Sequence, residues 1–179
     1  IILDEIQPGF GRTGKLFAFE HFGIVPDILV MGKGMGGGVP VGAFMASAEV
    51  MQTLSHSPKL GHITTFGGNP LIAAASHATL SEVLESGVMD EMYRKEQLFR
   101  ELLVHPKIKK INGMGLMLAV DLGTPEYCLD VAKRCMENGL IVFWQLYKNN
   151  FMRITPPLII TDEEIKKGCK IIIDALNEN

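Results

Sequence analysis

The sequence is sparing with residues that would mark several classes of protein. It holds three cysteines in 179 residues, Cys128, Cys135 and Cys169, and no two are spaced as C-x-x-C. An odd, scattered set supports neither a disulfide framework nor a zinc site, and it predicts a reducing, cytoplasmic setting. The five histidines, His21, His56, His62, His77 and His105, lack metal-ligand spacing, so no metal is expected. No apolar run approaches the ~20 residues that cross a bilayer as a helix, which leaves no membrane partner in view. Basic residues are neither abundant nor clustered: Lys and Arg number 17 against 20 Asp and Glu, a formal charge of −3. Nucleic acid would find no electrostatic footprint here.

What is present suits a packed interior. Hydrophobic residues make up 47% and charged residues 21%, enough for a globular core in a chain long enough for one domain or a domain plus part of another. The opening "IILDE" reads as a chain already inside a strand. It predicts that an N-terminal part of a longer protein precedes it.

Apolar runs without strict alternation appear at "IILD" (1–4), "DILVMG" (27–32) and "VGAFMAS" (41–47). They predict strands of an α/β sheet covered on both faces. Asn69 and Pro70 then open a helix, Asn as cap and Pro at the first helical position. Its apolar face is expected through Leu71, Ala74, Ala75, Ala78 and Leu80. Residues 89–104 extend or follow it, with Leu98, Leu102 and Leu103 inward. After a shift in composition near "HPKIKKINGMG", residues 106–179 read as a small separate α/β domain. Its expected order is strand 116–122, helix near 125–138, strands 140–144 and 151–155, and a final helix from about 162 with Thr161 and Glu164 as a capping box. Cys128 and Cys135, seven apart, are expected on one buried helix face. Residues 76–105 would be the connecting helices.

Chemistry concentrates at "MGKGMGGGVPVGA" (31–43), a lysine among glycines just after an apolar run. A nucleotide-binding P-loop needs its lysine after the glycines and a hydroxyl residue beside it; Lys33 precedes most of them and is followed by Gly34. The other reading is a lysine whose amine forms a Schiff base with a flat aldehyde cofactor, small neighbours permitting close approach. Were that cofactor pyridoxal phosphate, a carboxylate would be needed at its ring nitrogen. Asp4 ends one apolar strand and Lys33 follows another, so both can reach the carboxyl edge of one sheet, where open α/β sheets bind ligands.

The segments "LDEIQPGFGRTG", "PDILVMGKGMGGGVPVGA" and "TTFGGNP", in this order, resemble the signature of the class III (ω-amino acid) pyridoxal-phosphate aminotransferases. "GMGLMLAVDL" and "MRITPPLIIT" resemble that family's small domain. The resemblance implies a fold type I α/β transferase, with residues 1–75 as the C-terminal part of the large cofactor-binding domain and 106–179 as the small one. It implies that Lys33 carries pyridoxal 5'-phosphate and moves the proton, that Asp4 meets the ring nitrogen, and that Gln7 lies beside the phenolic oxygen. Thr65, adjoining Thr64, would reach the phosphate of a neighbouring subunit's cofactor in a homodimer with shared active sites. Arg153 would bind substrate. An ω-amino or diamino acid such as ornithine or acetylornithine as donor, with diamine, 4-aminobutyrate and aminomutase substrates as alternatives, and a keto acid such as 2-oxoglutarate as acceptor follow from the same resemblance. Pro8 and Asn112 depart from the family pattern. The alternative is a folded, dimerising piece of such an enzyme without catalytic activity.

Overall fold

A computed structural model describes residues 1–59 and 62–178. The chain divides into two compact units, Ile1–Met89 and Asp90–Asn179. The division falls inside the stretch expected to connect the domains.

The first unit is built on a three-stranded sheet in the order β1 (Ile2–Asp4), β2 (Ile28–Gly32), β3 (Gly42–Ala46). β1 and β2 run parallel with Asp4 opposite Val30, and β2 and β3 run antiparallel. In the central strand Leu29 and Met31 are buried and Ile28 and Val30 half-buried. The flanking strands depart from the expectation of a sheet covered on both faces. Ile2 is 67% and Met45 56% exposed, because nothing among the described residues packs over them. Phe10, Leu29 and Met31 form the core, bordered by Leu3, Phe17, Phe19 and Leu80.

α1 (Ala48–Gln52) follows, then α2 (Pro70–Glu85). Asn69 caps α2 as expected, its Oδ1 accepting the Leu71 and Ile72 N–H groups at 2.9 and 3.4 Å. The buried side of α2 coincides with the expected one only at Ala75 and Leu80. Ile72, Ala75, Ser76, Thr79, Leu80 and Val83 are buried or half-buried, whereas Leu71, Ala74 and Ala78 are exposed. An alanine-rich helix offers apolar side chains on more than one face, so period alone leaves its orientation open.

The second unit begins with α3 (Met92–Leu102), separated from α2 by a break at Ser86–Gly87. Met92, Lys95, Glu96 and Phe99 form its buried face, with Leu103 just beyond; Leu98 and Leu102 are only half-buried. Two charged residues are thus tolerated inside. Lys95 Nζ donates to the Leu158 carbonyl at 2.8 Å, and Glu96 accepts from Arg100 Nε at 2.8 Å and Gly115 N–H at 2.5 Å. A four-stranded antiparallel sheet follows in the order β4-β5-β7-β6: β4 (Lys110–Met114), β5 (Met117–Asp121), β6 (Phe143–Gln145) and β7 (Lys148–Ile154).

Between β5 and β6 lies α4 (Pro125–Glu137), and α5 (Asp162–Asn177) closes the unit. Leu140 was expected to start a strand but instead ends α4. Its N–H bonds back to the Cys135 carbonyl at 2.8 Å and Gly139 N–H to that of Met136 at 3.0 Å, with Gly139 at φ +83°. This left-handed closure consumes the residues that would otherwise pair. Cys128, Cys135 and Cys169 are buried and free. Burial pushes their thiols up to about 11, 11 and 12, so they pack as small apolar groups rather than react.

Candidate active site

Asp4 and Lys33 stand at the carboxyl ends of adjacent parallel strands. Asp4 is level with Val30, and Lys33 comes three residues after Val30, immediately past the end of β2. With strands about 4.8 Å apart and a rise of about 3.3 Å per residue, the two Cα atoms lie on the order of 10 Å from each other. Both residues are exposed. Asp4 Oδ1 accepts the Ile6 N–H at 3.0 Å, which fixes the carboxylate and leaves Oδ2 to accept from a ligand.

Lys33 opens a single 3₁₀ turn, Lys33–Gly36, at φ +45°. For a residue with a Cβ this left-handed conformation costs about 1–2 kcal/mol. Strain of this kind is held only where the surroundings dictate it. The glycines around Lys33 supply that framework. A Cβ at Gly36 would lie 2.8 Å from Val41 Cγ1, and one at Gly37 would lie 2.2 Å from Thr79 Oγ1. The turn is therefore pressed onto Val41, just before β3, and onto α2, and Gly37 also needs its φ of +58°.

The remaining expected residues are not all brought together. Gln7 is exposed in the turn after β1, three residues beyond Asp4. Thr65 is exposed in the loop that leads to α2. Its neighbour Thr64 borders a cleft of about 480 Å³ shared with Met35, Gly42, Asn69, Ile72 and Ser76. The buried Ser76 Oγ has no hydrogen-bond partner among the described residues. That cleft includes neither Asp4 nor Lys33. Arg153 belongs to the second unit, half-buried in β7 opposite Ala119 and Phe143. Pro8 is half-buried, and Asn112 of β4 pairs with Ala119 of β5.

Glu5 was missed by the sequence reading. It is 3% exposed, and its carboxylate accepts two backbone N–H groups, from Ala18 and Phe19. The signal was available: side chains alternate along a strand, so if Asp4 faces solvent its neighbour points inward and must find donors.

A lysine and a carboxylate stand at one end of a parallel strand pair, and the mixed α/β architecture is that of the fold type I class. The aminotransferase class-III family model matches residues 1–176, and the chain belongs to that family. It is 41% identical over 182 residues to an acetylornithine aminotransferase of Caldanaerobacter subterraneus, covering 99% of this chain and 44% of the relative. It is 40% identical over 185 residues to a putrescine aminotransferase of Pectobacterium atrosepticum, covering 99% of this chain and 39% of that one. The ornithine aminotransferase of Toxoplasma gondii, described as having partial occupancy of pyridoxal phosphate at its active site, superimposes with a TM-score of 0.85 at 38% identity. That match covers 97% of this chain and 42% of the other. The chain thus spans less than half the length of these relatives.

Proposed function

We propose that this protein transfers an amino group from an ω-amino or diamino acid of the ornithine or acetylornithine kind to a keto acid such as 2-oxoglutarate, with pyridoxal 5'-phosphate held on Lys33. One observation carries the reading: the register that sets Asp4 level with Val30 leaves an acid and an amine at the same end of one sheet. The donor set fits that cofactor, since Lys33 offers a primary amine and Asp4 retains an unengaged oxygen. The names of the relatives support the reaction class.

When bound, the cofactor supplies an electron sink that lets a carbon-bound proton leave. The chain's own residues do the rest. Asp4 keeps a negative charge against the ring nitrogen and so favours its protonated form. Lys33 would hold the cofactor through Nζ, and that amine, when free, would serve as the base that takes up and returns the substrate proton. Gln7 donates beside the phenolic oxygen, Thr65 reaches a phosphate across a homodimer, and Arg153 takes a substrate carboxylate.

Borohydride reduction in the presence of pyridoxal phosphate, followed by peptide mass mapping, tests the reading. A pyridoxyl group fixed on Lys33 is the expected result. No adduct at saturating cofactor would leave the chain as a folded module without transfer activity.

A further inference from the structure

Taking an ionised carboxylate out of water is unfavourable unless its oxygens are hydrogen-bonded. Both oxygens of Glu5 are: Oε2 accepts the Ala18 N–H at 3.0 Å and Oε1 the Phe19 N–H at 2.8 Å. These are leading N–H groups of the 3₁₀ helix Ala18–Phe22, which have no partner within the helix itself. Glu20 accepts the preceding one, from Phe17, at 2.7 Å. The backbone of Glu5 joins two further segments. Its N–H donates to the Val30 carbonyl at 2.9 Å, and its carbonyl accepts the Gly9 N–H at 3.0 Å. The approach at Gly9 is close enough that a Cβ there would lie 2.6 Å from that carbonyl oxygen. One residue therefore ties β1 to β2, to the following turn and to the helix beyond it.

Asp4 sits immediately before this junction. Its carboxylate is oriented by the Ile6 N–H, immediately after the junction. The direction of the Asp4 side chain thus depends on the backbone path from 4 to 6, and Glu5 pins the middle of that path from both its side chain and its main chain.

We propose that Glu5 is a positioning residue: by clamping the Ala18–Phe22 helix to the end of β1 it holds the Ile6 N–H, and with it the Asp4 carboxylate, in the orientation that meets a ring cation beyond the sheet edge. The consequence for catalysis rests on the function proposed above, whereas the positioning does not. In Glu5→Gln one acceptor oxygen is replaced by an NH₂ group that faces a backbone N–H, so one of the Ala18 and Phe19 donors loses its partner. Glu5→Asp keeps the charge and both acceptors on a stem one carbon shorter.

Amide hydrogen exchange of the chain without cofactor gives the first readout. In Glu5→Gln the Ile6 amide is expected to exchange about tenfold faster, the effect of one weakened hydrogen bond, while the β2–β3 ladder keeps its rates. Glu5→Asp should fall between. The second readout is the ring-nitrogen NMR shift of bound ¹⁵N-pyridoxal phosphate. It is expected to move in Glu5→Gln in the same sense as in Asp4→Asn, with kcat down about tenfold and the donor KM unchanged. An Ile6 rate equal to wild type in Glu5→Gln overturns the proposal whatever the cofactor does. If Glu5→Gln fails to fold, Glu5→Asp decides by the same criterion of selective acceleration at Ile6. A selective Ile6 effect in a protein whose Lys33 takes no pyridoxyl group would uphold the positioning and overturn the function instead.

Discussion

Lys33 combines a left-handed backbone conformation, costly for a residue with a Cβ, with the side chain proposed to hold the cofactor. Substitution at this position separates fold from chemistry. Lys33→Ala is expected to lower transamination by on the order of 10³-fold or more with an unchanged circular dichroism spectrum, since the side chain is exposed. Lys33→Gly should be equally inactive yet more stable than the alanine variant by about 1 kcal/mol, because glycine adopts a φ of +45° without penalty. Urea unfolding of the two variants measures that difference. Gly37 faces the opposite situation. Gly37→Ala adds a Cβ 2.2 Å from Thr79 Oγ1 in a left-handed residue, and is expected to cost about 2–3 kcal/mol. Adding Thr79→Ala should recover part of that loss, and a double-mutant cycle reads the coupling.

Helix ends carried the clearest sequence signals, and α5 shows how they act in the folded chain. Thr161 Oγ1 accepts the Glu164 N–H at 3.2 Å and Glu164 Oε2 accepts the Thr161 N–H at 2.8 Å. Thr161→Ala is therefore expected to cost about 1 kcal/mol in thermal or urea unfolding. The Thr161 N–H, followed by its hydroxyl, holds the Glu164 carboxyl below its ordinary value. Hydrogen bonds from Arg94 do the same for Asp162. A depressed carboxyl stabilises the fold while it is ionised, so both contributions should be complete above the ordinary values, decline as pH falls below them and vanish only once it has passed through the lowered values of the folded state. The stability difference between wild type and Glu164→Gln, followed by urea midpoint against pH, should shrink toward zero on acidification through that range. Caps such as Asn69–Pro70 and Thr161–Glu164 could be read because the partners are a few residues apart in sequence. β4 could not. Its residues, Lys-Ile-Asn-Gly-Met, hold little apolar pattern, and the strand exists because five of its positions pair with β5. The facing of α2 was equally hidden, being decided by what packs against an almost uniformly apolar helix. Asp4 and Lys33 were legible as strand-end residues, whereas Glu5 becomes meaningful only once Ala18 and Phe19 are folded back upon it.

Across the molecule, buried apolar side chains are unevenly shared. In the first unit those among the described residues are Phe10, Leu29, Met31 and Val83; the second holds the rest, including Met92, Leu116, Leu118, Met152, Ile165 and Leu176 at 2% exposure or less. Residues 90–179 expressed alone should therefore unfold cooperatively in urea, whereas residues 1–89 alone should show a broad, weak transition. Non-cooperative unfolding of 90–179 would contradict that division of the core. The sheet of the first unit has a different significance. The acid and the amine belong to separate strands, and their spacing is inherited from a ladder of main-chain bonds rather than from the length of the peptide that joins them. Extra residues spliced into the exposed bend after Gly23 would lengthen that peptide and still leave the two groups in register. A shift of β1 by a single residue against β2, with no change in composition, would turn the acid away from the amine altogether.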